Sequence, residues 1–457
     1  MLFSSVEFLF IFLPITVAIY FLCPLKLRNL WLFAASLLFY GFGEPIYLFL
    51  MLLTITADYF FGLLIEKTKA RKSLWLTLGI IFNISLLAFF KYFDMLIGIL
   101  GLSPLGITLP IGISFYIFQA TSYIIDVYRK EVEASRSFVN FGTYVSLFPQ
   151  LIAGPIVKYR DIDKELTKRA HRVSDVAKGI SVFCVGLAKK ALLANPAGEL
   201  YESIIDSKTD PASLWLGLIL FAFQIYYDFS GYSDMAIGLG KIFGFSFPKN
   251  FDYPYVSKSI TEFWRRWHMT LSSWFREYVY IPLGGNRRGR LRTYTNLFAV
   301  WSLTGLWHGA SWNFLIWGIY FFVLLVIEKA FLLKRLEKAP RWIGHIYALF
   351  FILLGWLIFS AENGIGEILT LSKSLFGMNG SPFFGTSFAY DLVRNLPFIL
   401  VMTVGATPLP KRIAERFSLK TPRISLTARN ILCLASIILS TAYIVSADYN
   451  PFLYFRF

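Results

Sequence analysis

Apolar residues run along this chain in stretches of fifteen to thirty, broken by short polar loops, with neither the period-two alternation of strands nor the narrow stripe of a soluble amphipathic helix. Crossing a bilayer takes ~20 apolar residues per helix. By that rule the pattern predicts membrane helices near residues 2–22, 30–44, 46–65, 74–93, 108–127, 176–194, 213–240, 293–308, 312–332, 343–361, 395–409 and 430–446. One of these is expected to be re-entrant, which leaves about eleven spans. Between the fifth and sixth, residues 138–157 carry Phe148-Pro149-Gln150 and Ala153-Gly154-Pro155 with charge at both ends, which predicts a re-entrant hairpin. Irregular backbone of that kind survives only where protein buries it or where it lines a cavity.

Composition sharpens the picture. Of 457 residues, 56% are hydrophobic and 18% aromatic, too apolar for a soluble domain of this length. The first apolar run lacks a basic flank and a small-residue cleavage site and is expected to stay as a helix rather than leave as a signal peptide. Cys23, Cys184 and Cys433 stand singly, without the spacing of a disulfide framework or a thiolate metal site. No repeat, heptad or long soluble insert divides the chain, so residues 1–457 are read as one domain.

The net charge of +16 does not point to nucleic acid, because it falls in short loops between apolar runs. Lys67 to Lys72, Lys158 to Arg172, Arg287 to Arg292, Lys334 to Arg341 and Lys411 to Arg429 hold most of it. Placing these loops in the cytoplasm puts both termini outside and residues 447–457 on the extracytoplasmic face. Lipid headgroups are the expected contacts of the basic loops. Alternating aromatic and basic residues in Phe263-Trp264-Arg265-Arg266-Trp267-His268 predict an interfacial, partly inserted helix with its guanidinium groups at headgroup level.

Against this apolar background the ionisable residues are informative, since hydrocarbon disfavours charge. His308, in Gly305-Leu306-Trp307-His308-Gly309-Ala310-Ser311-Trp312-Asn313, is ringed by small residues and tryptophans that would let a backbone or ligand approach and wall off a pocket. A buried neutral imidazole is a competent general base, against the alternative of a packing histidine. His268 is a second candidate, against that of an interfacial histidine. His171 is expected to be solvated and His345 to be an interfacial anchor. The four histidines show no metal-ligand register, and no metal is expected. Asp228 and Asp234, in Asp228-Phe229-Ser230-Gly231-Tyr232-Ser233-Asp234, and Asn313 are expected to face a cavity or to tie helices together. Arg287, Arg288 and Arg290, in a glycine-rich loop, suit the phosphates of a nucleotide-like ligand, though a topology loop explains them equally.

Three of these blocks in order, Asp228 to Asp234, Phe263 to His268 and Trp307-His308-Gly309, resemble the membrane-bound O-acyltransferases, and the resemblance spans nearly the whole chain. It is closest to the bacterial AlgI-like branch that O-acetylates cell-surface polysaccharides. The resemblance implies an all-α ring of membrane helices around a central funnel, with His308 as the catalytic histidine and His268 as the second motif histidine. It implies acetyl-CoA as donor with no permanently bound cofactor, a polysaccharide as final acceptor, a periplasmic or extracellular SGNH-type acetyltransferase as partner, and a home in the bacterial plasma membrane. Asn450-Pro451-Phe452-Leu453-Tyr454-Phe455-Arg456-Phe457 resembles the tyrosine-bearing tail of the related teichoic acid system, which makes Tyr454 a candidate acyl carrier, against an aromatic anchor in the interface. The rival class is a transporter or flippase of a lipid-linked saccharide, although no internal symmetry supports it.

Overall fold

Every apolar run read from the sequence is helical. The structure is a computed structural model that describes residues 1–457 apart from 69, 153, 362, 387, 448, 452 and 454–457. Tyr454 therefore lies outside the described residues. Among them no strand occurs.

Seven helices are long and apolar enough to cross a membrane: Tyr47–Lys67, Lys72–Ile99, Pro211–Ile242, Trp312–Lys338, Arg341–Ser360, Phe388–Gly405 and Pro422–Ser446. The other expected segments are helices of a different kind. Phe8–Leu22 and Arg28–Gly43 are shorter than the ~20 residues a span usually takes, Ile113–Arg129 has 17, and Val173–Ala188 runs on without a break through Lys189–Ala194 into Asn195–Ser207. Gly289–His308 has the length, but Arg290, Arg292 and Asn296 in its first turns make it too polar.

The described residues group into two compact units. One comprises 1–187, 232–249 and 444–446; the other comprises 188–231, 250–443 and 447–457. In the first, Ile113–Arg129 is buried along almost its whole length, and Gly62 leaves room for the Tyr123 hydroxyl where a Cβ would stand 2.5 Å away. Asp58 is kept in this apolar setting by Asn83, whose Nδ2 donates to its carboxylate at 2.9 Å. The 138–157 stretch is broken as the prolines and glycines predict: Phe138–Ser146 ends in a bend at Leu147, and a single turn, Phe148–Leu151, follows. Residues 141–151 are all buried, and side chains satisfy the irregular backbone. The Phe148 amide donates to Ser36 Oγ at 3.1 Å, and Gln150 Nε2 donates to the Tyr144 carbonyl at 2.6 Å.

The second unit is organised around a hairpin of two helices, Gly289–His308 and Trp312–Ile327. Its backbones touch at glycines. A Cβ on Gly305 would lie 2.4 Å from the Phe314 carbonyl oxygen, and one on Gly318 would lie 2.4 Å from that of Trp301. Small residues are how helices approach without a hydrophobic driving force between them.

Candidate active site

The first histidine of the site sits at a break in the chain. Helix Ile260–Arg266 stops at Trp267, and His268 takes a left-handed conformation (φ 42°) before Met269–Phe275 begins. A non-glycine residue holds that conformation at a cost, so the surroundings must impose it. Asn250 does so from below: its carbonyl accepts from the Met269 amide at 2.9 Å, and its side-chain oxygen accepts from the Thr270 amide at 3.3 Å and hydroxyl at 2.8 Å. From the other end, Glu328 takes the Ile260 amide at 2.6 Å and the Thr261 amide and hydroxyl at 2.8 and 2.6 Å, adding to the Ser259 cap, whose Oγ accepts from the Glu262 amide at 3.0 Å.

The same contacts fix the histidine tautomer. An amide N–H only donates, so the Asn250 atom facing Thr270 is the oxygen, and His268 Nδ1, 3.0 Å from that atom, must donate to it. In the neutral ring Nε2 then carries the lone pair. The ring stands edge-on to Phe229, with centroids 4.7 Å apart.

His308 ends the Gly289–His308 helix and is buried in an aromatic box. Trp307 and Trp317 each lie 5.0 Å from its ring centroid, Phe359 5.3 Å and Phe314 6.4 Å. Trp307 is also 5.9 Å from His268, so one indole stands in ring contact with both imidazoles. Asn313 closes the floor by donating from Nδ2 to the Phe359 carbonyl at 3.1 Å, while its Oδ1 finds no hydrogen-bond partner among the described residues.

Several expectations change here. Gly309 admits a close neighbour as anticipated, a Cβ there meeting the Phe314 ring at 2.4 Å, but Trp312 is half-exposed and the walls are Trp317, Phe314 and Phe359. The Phe263 to His268 block buries Phe263, Trp267 and His268 and leaves its arginine face open, with Arg266 paired to Glu262 and Asp252, and the helix within it ends at Arg266. His171 is not simply solvated. In the first unit it meets the Tyr20 hydroxyl at 2.7 Å and Arg28 at 3.1 Å, and burial, with Arg28 and Arg169 beside it, holds it below the usual imidazole range. His345 anchors through Nδ1 to the Ser257 carbonyl at 3.1 Å.

Asp228 and Asp234, six positions apart on Pro211–Ile242, fall on different faces of that helix. Asp228 is buried against Lys190 at 2.7 Å, and Asp234 is half-buried. Lys190 was not singled out in the sequence, although a lysine inside an apolar run is itself a signal that a partner exists. Asn250, Glu328 and Phe359 carried no such signal.

Arg287, Arg288 and Arg290 are exposed where the Gly289–His308 helix begins, in a loop turned by Gly284, Gly285 and Gly289 at positive φ. Asn296 Nδ2 pins that loop through the Gly285 carbonyl at 2.9 Å. The helix separates these arginines from His308 by about 28 Å at 1.5 Å per residue. Among the described residues no three or more His, Cys, Asp or Glu side chains gather as a metal site.

These are the features of a multi-pass helical membrane protein with two buried histidines in contact with one indole. The description "MBOAT, membrane-bound O-acyltransferase family" matches residues 83–362, which include both histidines. The chain is 43% identical over 379 residues, 79% of its length and 76% of the relative's, to the probable alginate O-acetylase AlgI of Azotobacter vinelandii. It is 37% identical to the probable alginate O-acetylase AlgI of Pseudomonas putida in an alignment of 495 residues that takes in 100% of both. To the peptidoglycan O-acetyltransferase of Helicobacter pylori it is 36% identical over 425 residues, 83% of this chain and 80% of that one. The chain belongs to the membrane-bound O-acyltransferase family and is an acyltransferase of its AlgI-like branch.

Proposed function

We propose that this enzyme takes an acetyl group from cytoplasmic acetyl-CoA and relays it across the bacterial plasma membrane for O-acetylation of a cell-surface polysaccharide. The observation that carries the reading is the aromatic box around His308 with His268 one indole away. Relatives named for alginate and peptidoglycan O-acetylation support the acetyl group and the glycan acceptor. The whole of residues 1–457 acts as one domain in this reading, with the basic loops inside and both termini outside.

His308 removes the phenolic proton of Tyr454, whose ordinary pKa of about 10 makes unaided attack slow. The phenolate oxygen bonds to the thioester carbonyl, the carbon–sulfur bond breaks, and the CoA thiolate leaves, taking the proton back from the imidazolium as CoA–SH. Tyr454 then holds an acetyl ester, which an SGNH-type partner outside the membrane accepts and passes to a sugar hydroxyl. His268 is the second base in the chamber. Arg287, Arg288 and Arg290 receive the CoA phosphates at the cytoplasmic mouth, so the donor has to reach along most of the Gly289–His308 helix to present its thioester. Asp228, Asp234 and Asn313 are polar supports rather than reacting groups.

Purified protein in detergent is expected to release free CoA from acetyl-CoA at a rate that rises with protein concentration, read as new thiol. A transporter or flippase has no reason to break the thioester. Acetyl-CoA left intact, under conditions where the protein is monodisperse, would refute the reading.

A further inference from the structure

We propose that Lys190 and Asp228 form a docking site for the chain's own Tyr449, Asn450, Pro451 and Leu453 and, resting on the acyl-carrier reading above, that this site positions Tyr454 for acetylation. A buried ion pair is worth keeping only when the remaining protons and lone pairs of both ions are also satisfied. Here the C-terminal segment supplies one further partner to each ion. Lys190 Nζ donates to the Pro451 carbonyl as well as pairing with Asp228, and Asp228 Oδ2 accepts from the Leu453 amide at 2.9 Å.

The rest of the segment is seated with the same care. Asn195 Nδ2 donates to the Tyr449 carbonyl at 3.3 Å and to Asn450 Oδ1 at 3.1 Å. The Tyr449 hydroxyl accepts from Gln224 Nε2 at 3.1 Å and donates to Glu202 at 2.9 Å. Gly198 makes the space, because a Cβ there would stand 2.6 Å from that hydroxyl. Anchors therefore grip the backbone up to Leu453, and the next residue in the sequence is Tyr454. An aromatic interface anchor needs no buried ion pair to hold it, whereas a carrier that must meet one thioester repeatedly gains from a fixed root.

The test uses full-length purified protein in four forms: wild type, the double variant Lys190→Met with Asp228→Leu, Gly198→Val, and Tyr454→Phe. Replacing both ions by apolar residues of similar volume keeps the fold while removing both anchors; thermal melting checks this, and Gly198→Val blocks the seat without touching charge. Hydrogen–deuterium exchange of the peptide covering 449–453 is expected to be about tenfold faster in the double variant and in Gly198→Val, and unchanged in Tyr454→Phe. In the same two variants kcat for acetyl transfer falls about tenfold while KM for acetyl-CoA stays the same. Unchanged exchange in the double variant overturns the docking site. Fast exchange with an unaltered kcat overturns the positioning role; an inactive Tyr454→Phe in that case leaves the carrier reading standing, and an active one removes it as well.

Discussion

His308→Ala lowers acetyl transfer by about 10²- to 10⁴-fold, the usual contribution of a positioned general base, without lowering the amount of protein in the membrane. The imidazole is held by ring contacts from Trp307, Trp317, Phe314 and Phe359, and these keep other partners when it is gone: Trp317 lies 5.4 Å and Phe314 5.0 Å from Phe359, and Trp307 lies 5.9 Å from His268. Loss of the ring thus leaves a small void in a box that keeps its walls. His308→Gln separates packing from proton transfer, since its amide fills much of the space and hydrogen-bonds but takes no proton at neutral pH. Both variants are expected to release CoA about 10²- to 10⁴-fold more slowly, with His308→Gln melting near the wild type and His308→Ala somewhat lower because of the void. Wild-type turnover in His308→Gln would remove His308 from the chemistry and leave it a packing residue.

Gly305→Val prevents the second unit from assembling. The new Cβ meets a carbonyl oxygen at 2.4 Å, and that atom belongs to backbone of the facing helix, so no rotamer change relieves the contact. Overpacking against movable side chains costs about 1–3 kcal/mol, and a clash that forces two helices apart belongs in the rare class above about 4 kcal/mol. The displaced helix also carries His308, three residues on. Low yield, a broadened size-exclusion peak and a melting temperature well below wild type are expected, with Gly305→Ala intermediate. A monodisperse Gly305→Val protein melting with the wild type would mean that the hairpin does not pack as described.

The helices were legible in the sequence because hydrocarbon demands long apolar runs, and the prolines and glycines at 148–155 marked the broken stretch for the same reason. Length was less legible than presence. Phe388–Gly405 starts seven positions before the expected segment at 395, since its first turns are polar and a hydropathy reading discards them. His268 and His308 stood out as ionisable residues against an apolar background, and both prove to be buried in one unit. What holds them did not stand out. Asn250 and Glu328 act over 18 and 68 positions of sequence, and nothing local distinguishes an asparagine that clamps a left-handed histidine from one that faces water. Trp312 and Trp317 are equally good wall residues on paper, and helical phase alone decides that Trp317 turns inward. In the Phe263 to His268 block the alternation of aromatic and basic residues marked one buried and one open face, but not the break at Trp267 that ends the helix.

The central claim is that acetyl passes through the protein itself, from thioester to Tyr454 under the action of His308. Purified wild-type protein and His308→Ala, each given isotopically labelled acetyl-CoA, then digested and mapped by mass spectrometry, test it most directly. The account predicts label on Tyr454 in the wild type and none in His308→Ala. Release of CoA that depends on His308, with no label on Tyr454 at any time before turnover is complete, would contradict it and make some other group the acceptor.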